Sequence, residues 1–279
     1  MHSQALRHEL DSLKRIDWEA DMAGMFEGKA VLVTGGGAGM GKSAAQRFAQ
    51  EGAKVLVVDL NIDAAEATAG LIREGGGEAS TFRADIASQA DNDAMAAAAV
   101  DRYGALHAAF LNAAYLGPVL DFFETDAATF DKIVNINLRG CFFGMQACAR
   151  VMGPGGSIVV NASTAAFAAN QYNAVYTATK HGVVGLVKAA AEPFGARKLR
   201  INAVCPGFIK TPMNGFEDSA APMPPEDLEP ADFCGMGLPQ HVAELAVFLA
   251  SSRASFLTGA AYLADGGLMA NIPPIRAEF

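Results

Sequence analysis

The chain has too little cysteine for a disulfide framework and too little clustered basic charge for a nucleic-acid surface. Its four cysteines, Cys141, Cys148, Cys205 and Cys234, form no Cys-x-x-Cys pair and stand at no metal-ligand spacing from the histidines. They are expected to be small buried thiols in a reducing compartment, with neither disulfide nor structural metal. Asp and Glu number 30 against 21 Lys and Arg, a formal charge of −9, which argues against nucleic acid or an anionic membrane as the main partner. A membrane-spanning run is missing too. The uncharged stretch from Val151 to Thr179 is interrupted by Pro154, three glycines, Asn161, Asn170 and Asn173. Arg7, His8, Glu9, Asp11, Lys14 and Arg15 stand where a secretory signal needs apolar residues, so a cytoplasmic location is expected.

What remains is a 279-residue chain, long enough for a single large α/β unit. From Gly28 onward, seven short apolar or β-branched runs alternate with alanine-rich helical stretches. They are Ala30 to Val33, Lys54 to Val58, Glu78 to Arg83, Leu106 to Leu111, Ser157 to Asn161, Arg200 to Val204 and Ala260 to Leu263. That rhythm predicts a doubly wound parallel sheet of about seven strands with helices on both faces. Ligands in such sheets bind beyond the carboxyl ends of the strands, where Thr34, Asp59, Asn112, Ser163 and Pro206 fall. Two segments stand outside the rhythm. Residues 1–24 place Leu6, Leu10, Leu13 and Ile16 at helical spacing and predict an amphipathic helical extension. Residues 208–238, rich in Pro, Met and Phe, are too long for an ordinary connection and predict a lid on a catalytic domain of residues 25–270, followed by a tail at 271–279.

The glycine run Gly35, Gly36, Gly37, Gly39 and Gly41 follows a strand and opens a helix marked by Met40, Ala44 and Phe48. It predicts a phosphate cradle, in which glycines let the backbone approach a ligand and unpaired N–H groups at the helix start hold an anion. Gly36 through Ser43 also satisfies Gly-x-x-x-x-Gly-Lys-Ser, so a P-loop nucleotide triphosphatase with Lys42 on phosphates and Ser43 on magnesium is the competing reading. A dinucleotide cradle instead leaves Lys42 and Ser43 on the exposed side of the helix. It also gives Asp59, at the end of the second strand, an adenosine ribose to contact.

Tyr176 and Lys180 are four residues apart at the start of a helical stretch, and Ser163 lies thirteen residues upstream, just past a strand. Positions i and i+4 share a helix face, so the ammonium can lie beside the phenol. A cation roughly 5 Å away at an effective dielectric of about 20 favours a phenolate by about 3 kcal/mol, enough to make a tyrosine useful as a base. A P-loop reading leaves this trio without a purpose.

With these residues assembled, Phe26 to Gly267 resembles the short-chain dehydrogenase/reductase family, whose fold is Rossmann-like. The resemblance rests on the Thr34 to Gly41 loop, Asp85-Ile86, Ile136-Asn137-Leu138, the Ser163, Tyr176 and Lys180 spacing, Arg200 to Gly207 with Thr211, and Asp265-Gly266-Gly267. It implies a homotetramer or dimer, and catalysis by Asn137, Ser163, Tyr176 and Lys180, with Asn137 holding a water that relays protons. It further implies cofactor contacts from Gly35, Gly37, Gly39, Met40, Gly41, Asp59, Leu60, Asp85, Ile86, Asn112, Ala113, Ala114, Tyr176, Lys180, Pro206, Gly207, Ile209 and Thr211. The family's usual Asn-Asn-Ala-Gly is Leu111-Asn112-Ala113-Ala114 here, so Leu111 loses a strand-bracing amide and Ala114 adds a methyl near the ribose. A carboxylate at Asp59, with no Lys or Arg from Gly35 to Gly41, favours NAD over NADP. Candidate substrate contacts are Tyr115, Leu116, Thr164, Ala165, Phe167 and Tyr172, with Met213, Phe216, Met223, Phe233 and Met236 on the lid. The apolar lining and the lid's acidic residues predict a neutral, hydrophobic secondary alcohol or its ketone as substrate. A cofactor-binding sensor without catalysis is the remaining alternative.

Overall fold

A strand covered on both faces has no wet side to mark with polar residues, and the central strands of this protein show the consequence. In the computed structural model, which describes residues 24–169, 171–218 and 227–270, seven strands form one parallel sheet. The strands are β1 (Ala30–Thr34), β2 (Lys54–Asp59), β3 (Glu78–Arg83), β4 (Ala108–Leu111), β5 (Ser157–Asn161), β6 (Arg200–Pro206) and β7 (Ala261–Ala264), in the order β3-β2-β1-β4-β5-β6-β7. Every residue of β1, β4 and β5 is buried. Successive side chains point to opposite faces. Leu32, Leu56, Ala109, Ile158 and Ile201 join one core, while Val31, Val33, Val55, Phe110 and Val159 join the other.

Helices α1 (Gly39–Gln50), α2 (Ile62–Glu74) and α7 (Pro239–Ala250) cover the second core, and α3 (Gln89–Tyr103), α5 (Cys141–Val151) and α6 (Ala174–Gly195) cover the first. The fourth strand is shorter than its apolar run. Leu106 buries its side chain in the core, but the ladder starts at Ala108. Helix α4 (Ala127–Val134) runs into α5 through a π-helical stretch, Asn135–Gly140, which lacks regular helical register and carries Asn137.

Both ends of the expected lid are pinned. Ile209 bridges Gly237, with Lys210 N donating to Gly237 O and Gly237 N to Phe208 O. The expected N-terminal helix (through residue 23), the tail at 271–279, and residues 219–226 with Met223 lie outside the described residues. Among the described residues no helix is long and apolar enough to cross a membrane. Gly182 lets α6 approach the π-helical stretch closely, since a Cβ there would lie 2.8 Å from Leu138 Cδ1.

Candidate active site

The strand order reverses between β1 and β4, and the ends of these strands are stitched together by short polar side chains. Thr34 Oγ1 accepts from the Asn112 and Ala113 N–H groups at 3.0 and 3.1 Å, and Asn112 Nδ2 donates to Thr34 O and Gly35 O. Leu111, left without the expected amide, packs in the apolar core. Gly35 has φ +62, and a Cβ on it would stand 3.0 Å from Ala113 Cα, so a side chain would be strained and crowded. Gly41 is tighter still, since its Cβ would fall 2.0 Å from Gly35 O. These glycines fold the loop on itself and leave the start of α1 open.

Ala38, at the N-cap of α1, has no side-chain oxygen to satisfy the first amides. Asp218 on the lid accepts from Gly39 N at 3.1 Å and pairs with Lys42 at 3.0 Å. Lys42 is thus held by the lid instead of facing solvent, and Ser43 is buried, which corrects the expectation that both are exposed. Neither lines the adjoining cavity, where a P-loop would need them. Asp59 accepts from Gly37 N through Oδ2 and from Asn61 N through Oδ1, each at 2.9 Å. It fixes the glycine loop and keeps lone pairs for a ligand. Asp85 similarly accepts from Ala87 N.

On the other side of the crevice, α6 places Tyr176 and Lys180 one turn apart. Lys180 is 2% exposed, with Nζ 5.4 Å from the Tyr176 ring centroid and 2.7 Å from Asn161 O. Among the described residues no carboxylate forms an ion pair with this ammonium. The buried ammonium is thus held by main chain beside the Tyr176 ring. Ser163 caps the short turn Thr164–Ala166, accepting from Ala165 N.

Asn137 sits in the π-helical stretch, facing the segment after β4. Its side chain accepts from Tyr115 N at 2.7 Å and donates to Tyr115 O and Thr179 Oγ1, so the amide is spent on bracing the segment after β4. It is 3% exposed and does not line the cavity.

A cavity of about 1020 Å³ connects these groups. Its wall includes Gly35, Gly39, Met40, Asp59, Leu60, Asp85, Ile86, Asn112, Ala113 and Ala114 toward the glycine loop, and Tyr115, Leu116, Ser163, Thr164, Ala165, Tyr176 and Lys180 toward α6. Pro206, Gly207, Ile209, Thr211 and Met213 close it from β6 and the lid. Gly37 and Gly41 support the loop from behind. Three expected substrate residues stand outside the wall: Phe167 and Tyr172, each 46% exposed, and Phe216, 39% exposed. Phe233 and Met236, 71% and 48% exposed, do so as well.

Several further residues complete the wall. Lys132 lies 4.5 Å over the Tyr115 ring, and Leu268 and Met269 enter from beyond the last strand. Nothing in their local pattern marks them, because they reach the cavity only through tertiary packing. Asn161 was legible only as a strand end.

The cavity fits a dinucleotide: the start of α1, without a side-chain cap from its own N-cap residue, stands at one end, a carboxylate at the end of β2, and the Tyr176–Lys180 pair at the other. Residues 35–269 match a family model described as enoyl-(acyl carrier protein) reductase. A cyclohexanol dehydrogenase of Acinetobacter sp. (strain SE19) is 39% identical over 251 residues, covering 89% of this chain and 98% of that protein. The crystal structure of levodione reductase superposes with a TM-score of 0.79 at 32% identity, covering 88% of this chain and 100% of the other. A 7α-hydroxysteroid dehydrogenase complexed with NADH and 7-oxo glycochenodeoxycholic acid gives a TM-score of 0.77 at 32% identity, covering 87% and 94%. The chain therefore belongs to the short-chain dehydrogenase/reductase family, as an oxidoreductase of CH–OH groups that uses a nicotinamide cofactor.

Proposed function

We propose that this protein interconverts a neutral, hydrophobic secondary alcohol and its ketone with NAD(H), and that the reacting carbon belongs to a six-membered ring. The observation that carries the reaction is the buried Lys180 ammonium beside the Tyr176 ring at the inner end of the cavity. In the oxidative direction Tyr176 takes the hydroxyl proton as hydride leaves the carbinol carbon, and in reduction it returns that proton. Lys180 stabilises the phenolate, Ser163 hydrogen-bonds the reacting oxygen, and Asn137 braces Tyr115 at the wall. A bound nicotinamide supplies the hydride acceptor or donor. Met40 at the open start of α1 would face its pyrophosphate, and Asp59 its adenosine ribose.

Asp59 supports NAD over NADP, since a carboxylate already fixed by two backbone N–H groups repels a 2′-phosphate. The ring preference draws on the relatives: cyclohexanol and a 7-hydroxysteroid both carry their hydroxyl on a six-membered ring. Ala114, Leu116, Ala165, Ala168 and Met213 in the wall suit such an apolar body.

The test is initial-rate absorbance at the reduced-nicotinamide band with NAD or NADP and a panel of cyclic and linear alcohols. Turnover of cyclohexanol-type substrates with NAD is expected. Cofactor binding without turnover of any alcohol or ketone would instead make the protein a sensor, and tight ATP·Mg²⁺ binding without NAD binding would revive the P-loop reading.

A further inference from the structure

We infer that Asn161, the last residue of β5, is a positioning residue for catalysis, tying the carbonyl that holds Lys180 to the glycine loop through its amide side chain. The inference rests on the oxidoreductase reading of the same cavity.

The Asn161 carbonyl is available to Lys180 because the sheet stops supplying it a partner. Pairing of β4 with β5 ends at Leu111 and Val160, and the next donor on that side, the Ala113 N–H, turns away to Thr34 Oγ1 at 3.1 Å. An unpaired buried carbonyl is costly, and the Lys180 ammonium closes the loose end of the ladder at 2.7 Å. The lysine is therefore placed by main chain at a strand terminus, a more rigid support than another mobile side chain.

The Asn161 side chain fixes that terminus. Its Nδ2 donates to Asn112 Oδ1 at 2.9 Å, and Asn112 Nδ2 donates to Thr34 O at 3.1 Å and Gly35 O at 3.3 Å. Thr34 and Gly35 offer Asn112 carbonyl oxygens there, so its nitrogen must face them and its oxygen must face Asn161. Asn161 in turn must present nitrogen. A hydrogen-bonded path thus runs from the glycine loop through Asn112 and Asn161 to Lys180, crossing β1, β4 and β5, with all three side chains at least nine-tenths buried.

Stability does not account for an amide here. Asn161 Oδ1 is buried and finds no partner among the described residues. A half-satisfied buried amide on the sheet face that carries Val159 and Phe110 costs more than an apolar residue of similar size. The Asn161 side chain thus braces Asn112 from the neighbouring strand, while its carbonyl holds Lys180.

The test compares full-length wild type with Asn161→Leu and Asn161→Ser, using NAD and cyclohexanol, with melting temperature and cofactor binding measured alongside. For Asn161→Leu, kcat is expected to fall about 10-fold or more, as small misplacements of a reacting group do. KM for cyclohexanol should stay within about 2-fold, and the acidic limb of the kcat profile should move up by about half a pH unit. Asn161→Ser, which keeps a donor on a shorter arm, should fall between the two and serves where the leucine variant does not fold. Wild-type kcat and an unmoved acidic limb in a folded variant would overturn the inference, as would a rate loss matched by KM with no change in the pH profile. Absence of turnover by wild type on cyclohexanol and on the alcohol panel would strike the oxidoreductase reading beneath it.

Discussion

The floor of the cavity and the lid over it are built on different physics. The floor is strand ends and one helix, with Asn112, Asn161 and Lys180 each 9% exposed or less and held by hydrogen bonds across three strands. The lid is a long connection pinned at its two ends, with Phe208 62%, Met213 44% and Phe233 71% exposed, and it reaches the glycine loop through Asp218. The proposed chemistry, which tolerates little displacement, falls on the hydrogen-bonded floor, and the proposed substrate contacts fall partly on the lid, where the backbone has fewer obligations.

The contrast is sharpest at Lys180. Lys180→Met keeps the volume and removes the charge, and kcat is expected to drop by about 10²- to 10⁴-fold while the fold persists. Steady-state kinetics with a melting curve check this, and a mild loss would mean the buried cation does not support the phenolate. Asp59→Ala comes next. It should raise KM for NAD and improve use of NADP, narrowing the preference by about 10-fold or more, a carboxylate–phosphate repulsion of about 1.4 kcal/mol; the ratio of kcat/KM for the two cofactors measures it.

The lid should respond differently. Met213→Ala removes apolar wall and is expected to raise the substrate KM by about 3- to 10-fold with kcat nearly unchanged, the signature of lost uniform binding. An equal fall in kcat would place the lid in the chemistry and erase the distinction.

The thiols provide a milder probe of the same division. Burial pushes Cys141 and Cys148 up to about 12 and Cys205 up to about 11, the last two lying in the core beneath the floor. The shift disfavours the charged form, so these groups remain thiols at pH 8 and should resist iodoacetamide in the native protein. All three should label once it is unfolded. Mass spectrometry of the alkylated cysteines checks this.

The same division governs what could be read from the sequence. Strands buried on both faces appear as plain apolar runs, and β1 and β5 lie where their runs predict them; β3, at the sheet edge, also matches its expected bounds although no residue of it is buried. The Tyr176–Lys180 pair was legible because four residues is a fixed helical geometry, and the glycine loop because backbone close to backbone excludes side chains. The lid and the loop after β5 have no such period, and Phe216 on the one and Phe167 and Tyr172 on the other, expected in the wall from sequence proximity, stand outside it. Lys132 and Met269 were missed because nothing local brings them there. Asn137 was found, but its hydrogen bonds were not, since its partners Tyr115 and Thr179 are set by tertiary packing.

The central claim is that a lysine buried at a strand end makes one tyrosine a base at the inner end of a dinucleotide cavity. It is met most directly by measuring NADH formation from cyclohexanol for wild type and Tyr176→Phe side by side, with NAD affinity determined for both. The account predicts comparable affinities and a rate at least about 100-fold lower for the phenylalanine variant. Near wild-type turnover by that variant would contradict it.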